Sequence, residues 1–374
     1  MNKIAVCCCA VALAISVPAA CRADAAKWDP RMANVQAAVD TNGFKWIDGR
    51  FLPLEGRAFD DTARFYDRLP ANVTTNVNGG VRSLKRHTSG MSFRFVTDAR
   101  RVVFKWTLLN PAASSRNMGA IGSSGIDVYV RRRGGEWKYL RTGAPDTTGK
   151  GGMLSVGWVP GEECLVYLPL YNGIETFALG VTEGAKILPP PPHKGVQKPV
   201  VFYGTSITHG GCASRPGLSF VNIIGRSHDW PVVNLGFSGS GRMELEMADH
   251  LARIDASCYV LDCLWNMNET VVMERYEPFV RKLRSLRPDV PIVMAGQCDV
   301  FCGKPNAKEL HAKAVCDRLA AEGWKGLVFL PKDKMFNGDR EGTVDGCHPN
   351  DRGMATMAEA FGDAVRRALS IERN

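Results

Sequence analysis

From about Trp28 to Ile187, apolar and polar residues tend to alternate with a period of two. Val102, Phe104, Trp106 and Leu108 interleave with Val103, Lys105 and Thr107. Ile126, Val128 and Val130 interleave with Asp127, Tyr129 and Arg131, and Met91, Phe93 and Phe95 repeat the pattern, as do Phe177, Leu179 and Val181. Side chains on a strand point to opposite faces in turn, so this period predicts half-buried strands. Asn78-Gly79-Gly80, Gly134-Gly135 and Gly149 to Gly152 punctuate the runs. Many short antiparallel strands with such turns predict an all-β sandwich or jelly-roll.

Four prolines, Pro189 to Pro192, then predict a stiff extended linker. Beyond them the period changes. Short apolar runs at Pro199–Tyr203, Val232–Leu235, Tyr259–Leu261, Ile292–Ala295 and Leu327–Leu330 alternate with helical patterns. Val272, Tyr276, Phe279, Val280 and Leu283 share one helical face, as do Met354, Met357, Phe361 and Val365. Strands alternating with amphipathic helices predict a parallel α/β sheet with helices on both faces. The expected organisation is a leader at 1–25, a β-sandwich at 26–187, a linker at 188–198 and an α/β domain at 199–374.

A length of 374 residues suits two domains, and 45% hydrophobic with 23% charged residues is an ordinary globular mix. The net charge of +9 is scattered among acids. The densest basic knot, Arg131-Arg132-Arg133, reads as a solvated hairpin end, so nucleic-acid binding is not expected. Lys3, the apolar run Ile4 to Val17 and the small residues after it fit a secretory leader too short to span a bilayer. A lipid anchor on Cys21 is the weaker alternative, because Pro18 stands where such motifs favour an aliphatic residue. The mature protein is therefore expected in the periplasm or outside the cell. Eight of 12 cysteines lie beyond the leader region: Cys164, Cys212, Cys258, Cys263, Cys298, Cys302, Cys316 and Cys347. Export permits disulfides but does not select a pairing. Cys298 and Cys302 lack a second Cys or His pair at matching spacing, so no metal centre is expected.

Functional groups of open parallel sheets gather beyond the carboxyl ends of the strands. Here those ends read Gly204-Thr205-Ser206-Ile207-Thr208, then Asn234 to Gly239, then Asp262-Cys263-Leu264-Trp265-Asn266; Asp345-Gly346-Cys347-His348-Pro349 precedes the last helix. Acyl transfer needs these parts. A serine hydroxyl is a weak nucleophile until a base takes its proton, and a histidine serves when a carboxylate fixes its other ring nitrogen. Ser206, His348 and Asp345 are the candidates. The oxyanion needs aimed donors, which the backbone N–H groups of Ser206 and Gly239 and the amide of Asn266 can supply, with Asn268 as rival to Asn266. His209, Arg215 and Trp265 are candidate substrate contacts. Asp127 reads as structural, and His228 and His250 as surface residues.

At these residues the chain resembles the SGNH (GDSL-type) esterase/lipase family. GTSIT resembles the first block, FSGSG the second, LWNMN the third and DGCHP the fifth, all in order. Thr205 departs from the Asp of many members. GIDVY at 125–129, YLPLYNG at 167–173 and SITHGGCASRPG at 206–217 look like the subgroup with an amino-terminal GxDLY-like β-domain. The resemblance implies a flavodoxin-like hydrolase domain behind a β-sandwich. It also implies a serine esterase working without a metal or organic cofactor, on short, chiefly acetyl, esters of carbohydrates. A lipase or phospholipase-type acylhydrolase, and a non-catalytic glycan-binding protein, are the alternatives.

Overall fold

The alternating segments form two antiparallel sheets. The computed structural model describes residues 40–372 apart from Arg116, Arg133, 298–303 and Asn337. The expected leader, Cys21, Cys298 and Cys302 lie outside the described residues. The first sheet holds β1 (Phe44–Asp48), β4 (Arg101–Leu108), β7 (Gly151–Gly157) and β9 (Ile174–Thr182) in the order β1-β9-β4-β7. The second holds β2 (Leu54–Glu55), β3 (Ser92–Thr97), β5 (Ile126–Arg131), β6 (Lys138–Gly143), β8 (Glu163–Tyr167) and β10 (Ile187–Leu188). Its order is β10-β3-β8-β5-β6, with β2 also on β3. Phe93, Phe95, Phe104, Trp106, Ile126, Val128, Phe177 and Leu179 meet between the sheets as one buried core. Two short helices, α1 (Gly79–Leu84) and α2 (Ala120–Ser124), interrupt this half.

The second half is a five-stranded parallel sheet of β11 (Val200–Gly204), β12 (Val232–Gly236), β13 (Cys258–Asp262), β14 (Ile292–Ala295) and β15 (Leu327–Leu330). Its order, β12-β11-β13-β14-β15, is the flavodoxin-like 2-1-3-4-5 arrangement. The helices are α3 (Ser206–His209), α4 (Phe220–His228), α5 (Leu245–Ala252), α6 (Glu269–Leu286), α7 (Ala307–Ala321) and α8 (Asp351–Ala368). Val201 and Tyr203 of β11 join the core under α5, α6 and α7. Val200 and Phe202 face the opposite core, under α4 and α8. The strand is apolar on both faces because both are covered.

Strand β5 also has two buried faces. Ile126 and Val128 enter the sandwich core, while Asp127, Tyr129 and Arg131 are buried on the other side. Asp127 Oδ2 accepts from Arg215 Nη1 and from the Gly217 N–H, both at 2.7 Å. Gly217 permits this approach, since a Cβ there would lie 2.5 Å from the Tyr129 ring. Arg226 of α4 lays its guanidinium 4.0 Å from the centre of that ring. Arg131 binds Glu163 at 2.6 Å and Asp229 at 3.0 Å. The expected solvated hairpin end holds at the exposed Arg132, whereas Arg131 is buried against the α/β half. His250 is also buried rather than superficial, 3.4 Å from Glu246, and His228 stacks on Trp230 at 4.3 Å.

Candidate active site

Register explains why distant motifs meet. Gly204 of β11 pairs with Gly236 on one side and Asp262 on the other, so three strands end level. The residues just past these ends therefore emerge side by side.

Ser206 is the first residue of α3, where a backbone N–H has no acceptor within the helix. Thr205, the departure from the family pattern, is its N-cap: its side chain accepts from the Ile207 N–H at 3.2 Å. Gly210 ends the turn in the left-handed region, at φ 100°, and brings the Gly211 N–H to 2.8 Å from the Ser206 carbonyl. The Ser206 Oγ lies 2.9 Å from His348 Nε2, and His348 Nδ1 lies 2.9 Å from Asp345 Oδ2. Asp345 Oδ1 accepts from the N–H groups of His348 at 2.8 Å and Cys347 at 3.0 Å. Burial alone would raise the proton affinity of Asp345. Hydrogen bonds from the His348 N–H, the Asn117 amide, the His348 ring and the Cys347 N–H overcome it and hold the carboxyl well below the usual carboxylate range. A charged Asp345 places the imidazole hydrogen on Nδ1 and leaves the Nε2 lone pair facing Ser206.

Gly239 sits at φ +63° in the turn after β12, with open space where a Cβ would stand. Asn266 ends a short 3₁₀ turn after β13. Its Nδ2 donates to the carbonyls of Phe237 and Gly241, both at 3.2 Å, and so braces that turn. The side chain of Asn268 instead caps α6, accepting from the Val271 N–H at 2.9 Å.

Of the three expected substrate contacts, the structure buries His209 and engages Arg215 and Trp265 with other residues. His209 is fully buried, stacked 4.2 Å from Tyr171, with Arg68 Nη2 at 3.4 Å and His87 Nδ1 at 3.3 Å. Burial, then Arg68 and His87, drive its pKa well below the ordinary value, so it is a neutral packing residue. Arg215 is engaged with Asp127 and with the Tyr129 hydroxyl, both at 2.7 Å. Trp265 lies beneath the Lys308 ammonium, 5.9 Å from its ring centre.

A cleft of about 500 Å³ is walled largely by the sandwich: Asn110, Ser114, Ser115, Asn117, Met118 and Asn172 face Cys212, Ser238 and His348. Sequence reasoning missed this wall. Asn172 lies within a singled-out string, YLPLYNG, whereas residues 110–118 carry no periodicity or motif. Cys212, Asp345 and His348 bring potential metal-ligand atoms within 4.8 Å of one another. Asp345 and His348 are bonded to each other, and burial pushes the Cys212 thiol up to about 12, so the trio is a poor metal centre. Among the described residues, Cys164, Cys212, Cys258, Cys263, Cys316 and Cys347 form no disulfide.

Residues 197–366 match the GDSL-like lipase/acylhydrolase family, and residues 44–187 match the GxDLY family, the N-terminus of SGNH hydrolase-type esterases. The chain carries a GDSL-like lipase/acylhydrolase domain behind an N-terminal GxDLY domain and is an ester-hydrolysing enzyme. It is similar to a Bacteroides ovatus protein classed as a GDSL-like lipase, with 29% identity and TM-score 0.77 over 88% of this chain and 99% of that one. It shares its fold with a salicylyl-acyltransferase from a tetracycline biosynthetic pathway, at 18% identity and TM-score 0.68 over 88% and 98% of the two chains. A family two carbohydrate esterase from Cellvibrio japonicus has 13% identity and TM-score 0.56 over the same shares. No curated protein sequence matches the chain.

Proposed function

We propose that the protein is an exported serine esterase that removes short acyl groups, chiefly acetyl, from carbohydrate hydroxyls. The observation that carries this reading is the cleft at His348, whose sandwich wall presents the amides of Asn110, Asn117 and Asn172 and the hydroxyls of Ser114 and Ser115. Such groups recognise a polyol leaving group by hydrogen bonds. The fold shared with carbohydrate esterases agrees with it. No helix among the described residues is long and apolar enough to cross a membrane.

In this mechanism His348 Nε2 takes the Ser206 hydroxyl proton as Oγ attacks the ester carbonyl. The oxyanion forms beside the N–H groups of Ser206 and Gly239, which bind it more strongly than the planar ester, and the Asn266 amide joins them by giving up one of its two main-chain acceptors. The imidazolium, stabilised by Asp345, then protonates the departing sugar oxygen and leaves an acyl-Ser206. Water attacks this ester while His348 again accepts the proton. Collapse returns the proton to Ser206 and releases the acid.

A series of nitrophenyl esters from acetyl to palmitoyl, together with acetate release from acetylated polysaccharides, tests the substrate. An apolar acyl channel would gain about 0.8 kcal/mol per buried methylene. The expected result is an activity that falls beyond butyryl, with acetate released from at least one glycan. Peak activity at octanoyl or longer with no acetate released would replace this reading with a lipase.

A further inference from the structure

We propose that Asn117 is a positioning residue for the acid of the triad, supplied by the sandwich and acting through Asp345 on His348. The proposal rests on the serine-esterase reading above. Asn117 Nδ2 donates to Asp345 Oδ2 at 2.7 Å, the same oxygen that lies 2.9 Å from His348 Nδ1. The other carboxylate oxygen is held by two N–H groups of its own loop. Asp345 is thus fixed at one oxygen by its own turn and at the other by its base and a residue of a different domain.

The Asn117 amide has a defined direction. Ser115 Oγ donates to Asn117 Oδ1 at 3.1 Å, which turns the NH₂ towards Asp345. The loop is anchored on both sides. Ser115 N–H donates to the Met118 carbonyl at 2.9 Å, and the Met118 side chain is buried with Leu170 and Ala213 in the core beneath α4 and α8. Ala112 N–H donates to the Gly149 carbonyl at 2.7 Å, and Ser123 Oγ to the Ala113 carbonyl at 3.0 Å.

Two consequences follow from sharing one oxygen. The Asn117 donor restricts rotation of a carboxylate whose side chain is 34% exposed and would otherwise exchange partners with water. It also withdraws charge from Oδ2, so the carboxylate pulls less strongly on the imidazolium. Removing the donor therefore strengthens that pull and disorders the orientation of the ring. Replacing it with a carboxylate, as in the nearly isosteric Asn117→Asp, strengthens the pull further through a second negative charge.

The test measures wild type, Ser206→Ala, Asn117→Leu and Asn117→Asp on nitrophenyl acetate across pH, with the His348 titration followed by ¹⁵N-histidine NMR. Both Asn117 variants are expected to lose roughly 10- to 100-fold in kcat, the scale a misplaced catalytic group costs. Their KM should stay within about twofold, and the acidic limb of kcat/KM should move upward, further for Asp than for Leu. A residue that only packs would tolerate Asn117→Asp and leave the limb unmoved. An unshifted His348 titration in both variants overturns the proposal, whether or not any ester is turned over. Wild type without activity on any ester overturns the esterase reading alone, because the NMR titration still reports on Asn117.

Discussion

Tyr171 donates its hydroxyl hydrogen to the main-chain carbonyl of Ser206 at 3.0 Å. A side chain of the sandwich thus holds the peptide of the proposed nucleophile, on an oxygen that also accepts from the Gly211 N–H at 2.8 Å. The Tyr171 ring rests on the neutral His209, which lies beside the buried Arg68. Arg68 in turn donates to the carbonyls of Asn234 at 3.0 Å and Gly236 at 2.9 Å, at the end of β12. The proposed nucleophile and oxyanion turn are backed by one continuous set of contacts.

Ser206→Ala should remove esterase activity by several orders of magnitude, because the triad acts as a unit. The hydroxyl is small and part-buried, so circular dichroism and Tm should match wild type. Near wild-type turnover of nitrophenyl acetate by the purified variant would remove Ser206 from the mechanism.

Asn266 and Asn268 should separate cleanly. Asn266→Ala is expected to lower kcat roughly 100- to 1000-fold with a smaller change in KM, the loss associated with one oxyanion donor. Asn268→Ala removes the N-cap of α6 and should cost about 1 kcal/mol of stability while kcat stays near wild type. Steady-state kinetics alongside urea unfolding decide the matter, and a reversed pattern would exchange the two roles.

Arg215→Ala tests the interface rather than the substrate. The change leaves the buried Asp127 without its guanidinium, although the Gly217 N–H and Thr142 hydroxyl still reach it. A loss of about 2–3 kcal/mol is expected, at or below the low end for breaking a buried pair because the arginine is partly exposed. KM for nitrophenyl acetate should not change. A tenfold higher KM with an unaltered Tm would place Arg215 on the substrate instead.

His193, in the segment joining the two halves, lies 3.0 Å from Glu55 and 3.2 Å from Asp229. Burial alone would lower its pKa, and Arg94 acts in the same direction. Hydrogen bonds to Asp229 and Glu55 and the Glu55 charge prevail and raise it to about 9, against an ordinary value of 6.5. The imidazolium therefore favours the folded state. Its contribution is complete below pH 6.5 and is lost as pH rises through about 9. Thermal unfolding between pH 6 and 10 should show Tm falling across that window, and less steeply in His193→Gln. Equal slopes in the two proteins would assign the effect to another group.

The parallel sheet was readable because β11, β12 and β13 announce themselves as apolar runs, and the candidate site residues follow directly after them. His209 was misread because a position three residues after the nucleophile looks accessible until α3 turns it under Tyr171. Arg131 and Arg215 were misread for a shared reason. Their partners, Asp229 and Asp127, lie about ninety residues away in sequence, beyond any local period. Asn117 gave no signal at all, since its role depends on Asp345, 228 residues further on. Local patterning records which face of a strand is apolar, but not which polar face another domain will cover.

The double-sided burial of β5 bears on how such a chain can change over time. Asp127 and Arg131 reach residues of the α/β half, and the linker is tied down as well, with Arg94 donating to the Pro191 carbonyl at 2.6 Å. A shuffling event that transplanted either half onto an unrelated neighbour would leave ionised groups stranded at the new junction. The sandwich is therefore not a portable module of the kind that recombination moves freely between enzymes. Lineages carrying it should inherit both halves together, and new specificities should arise by substitution within the loop at residues 110–118 rather than by exchange of the domain that bears it.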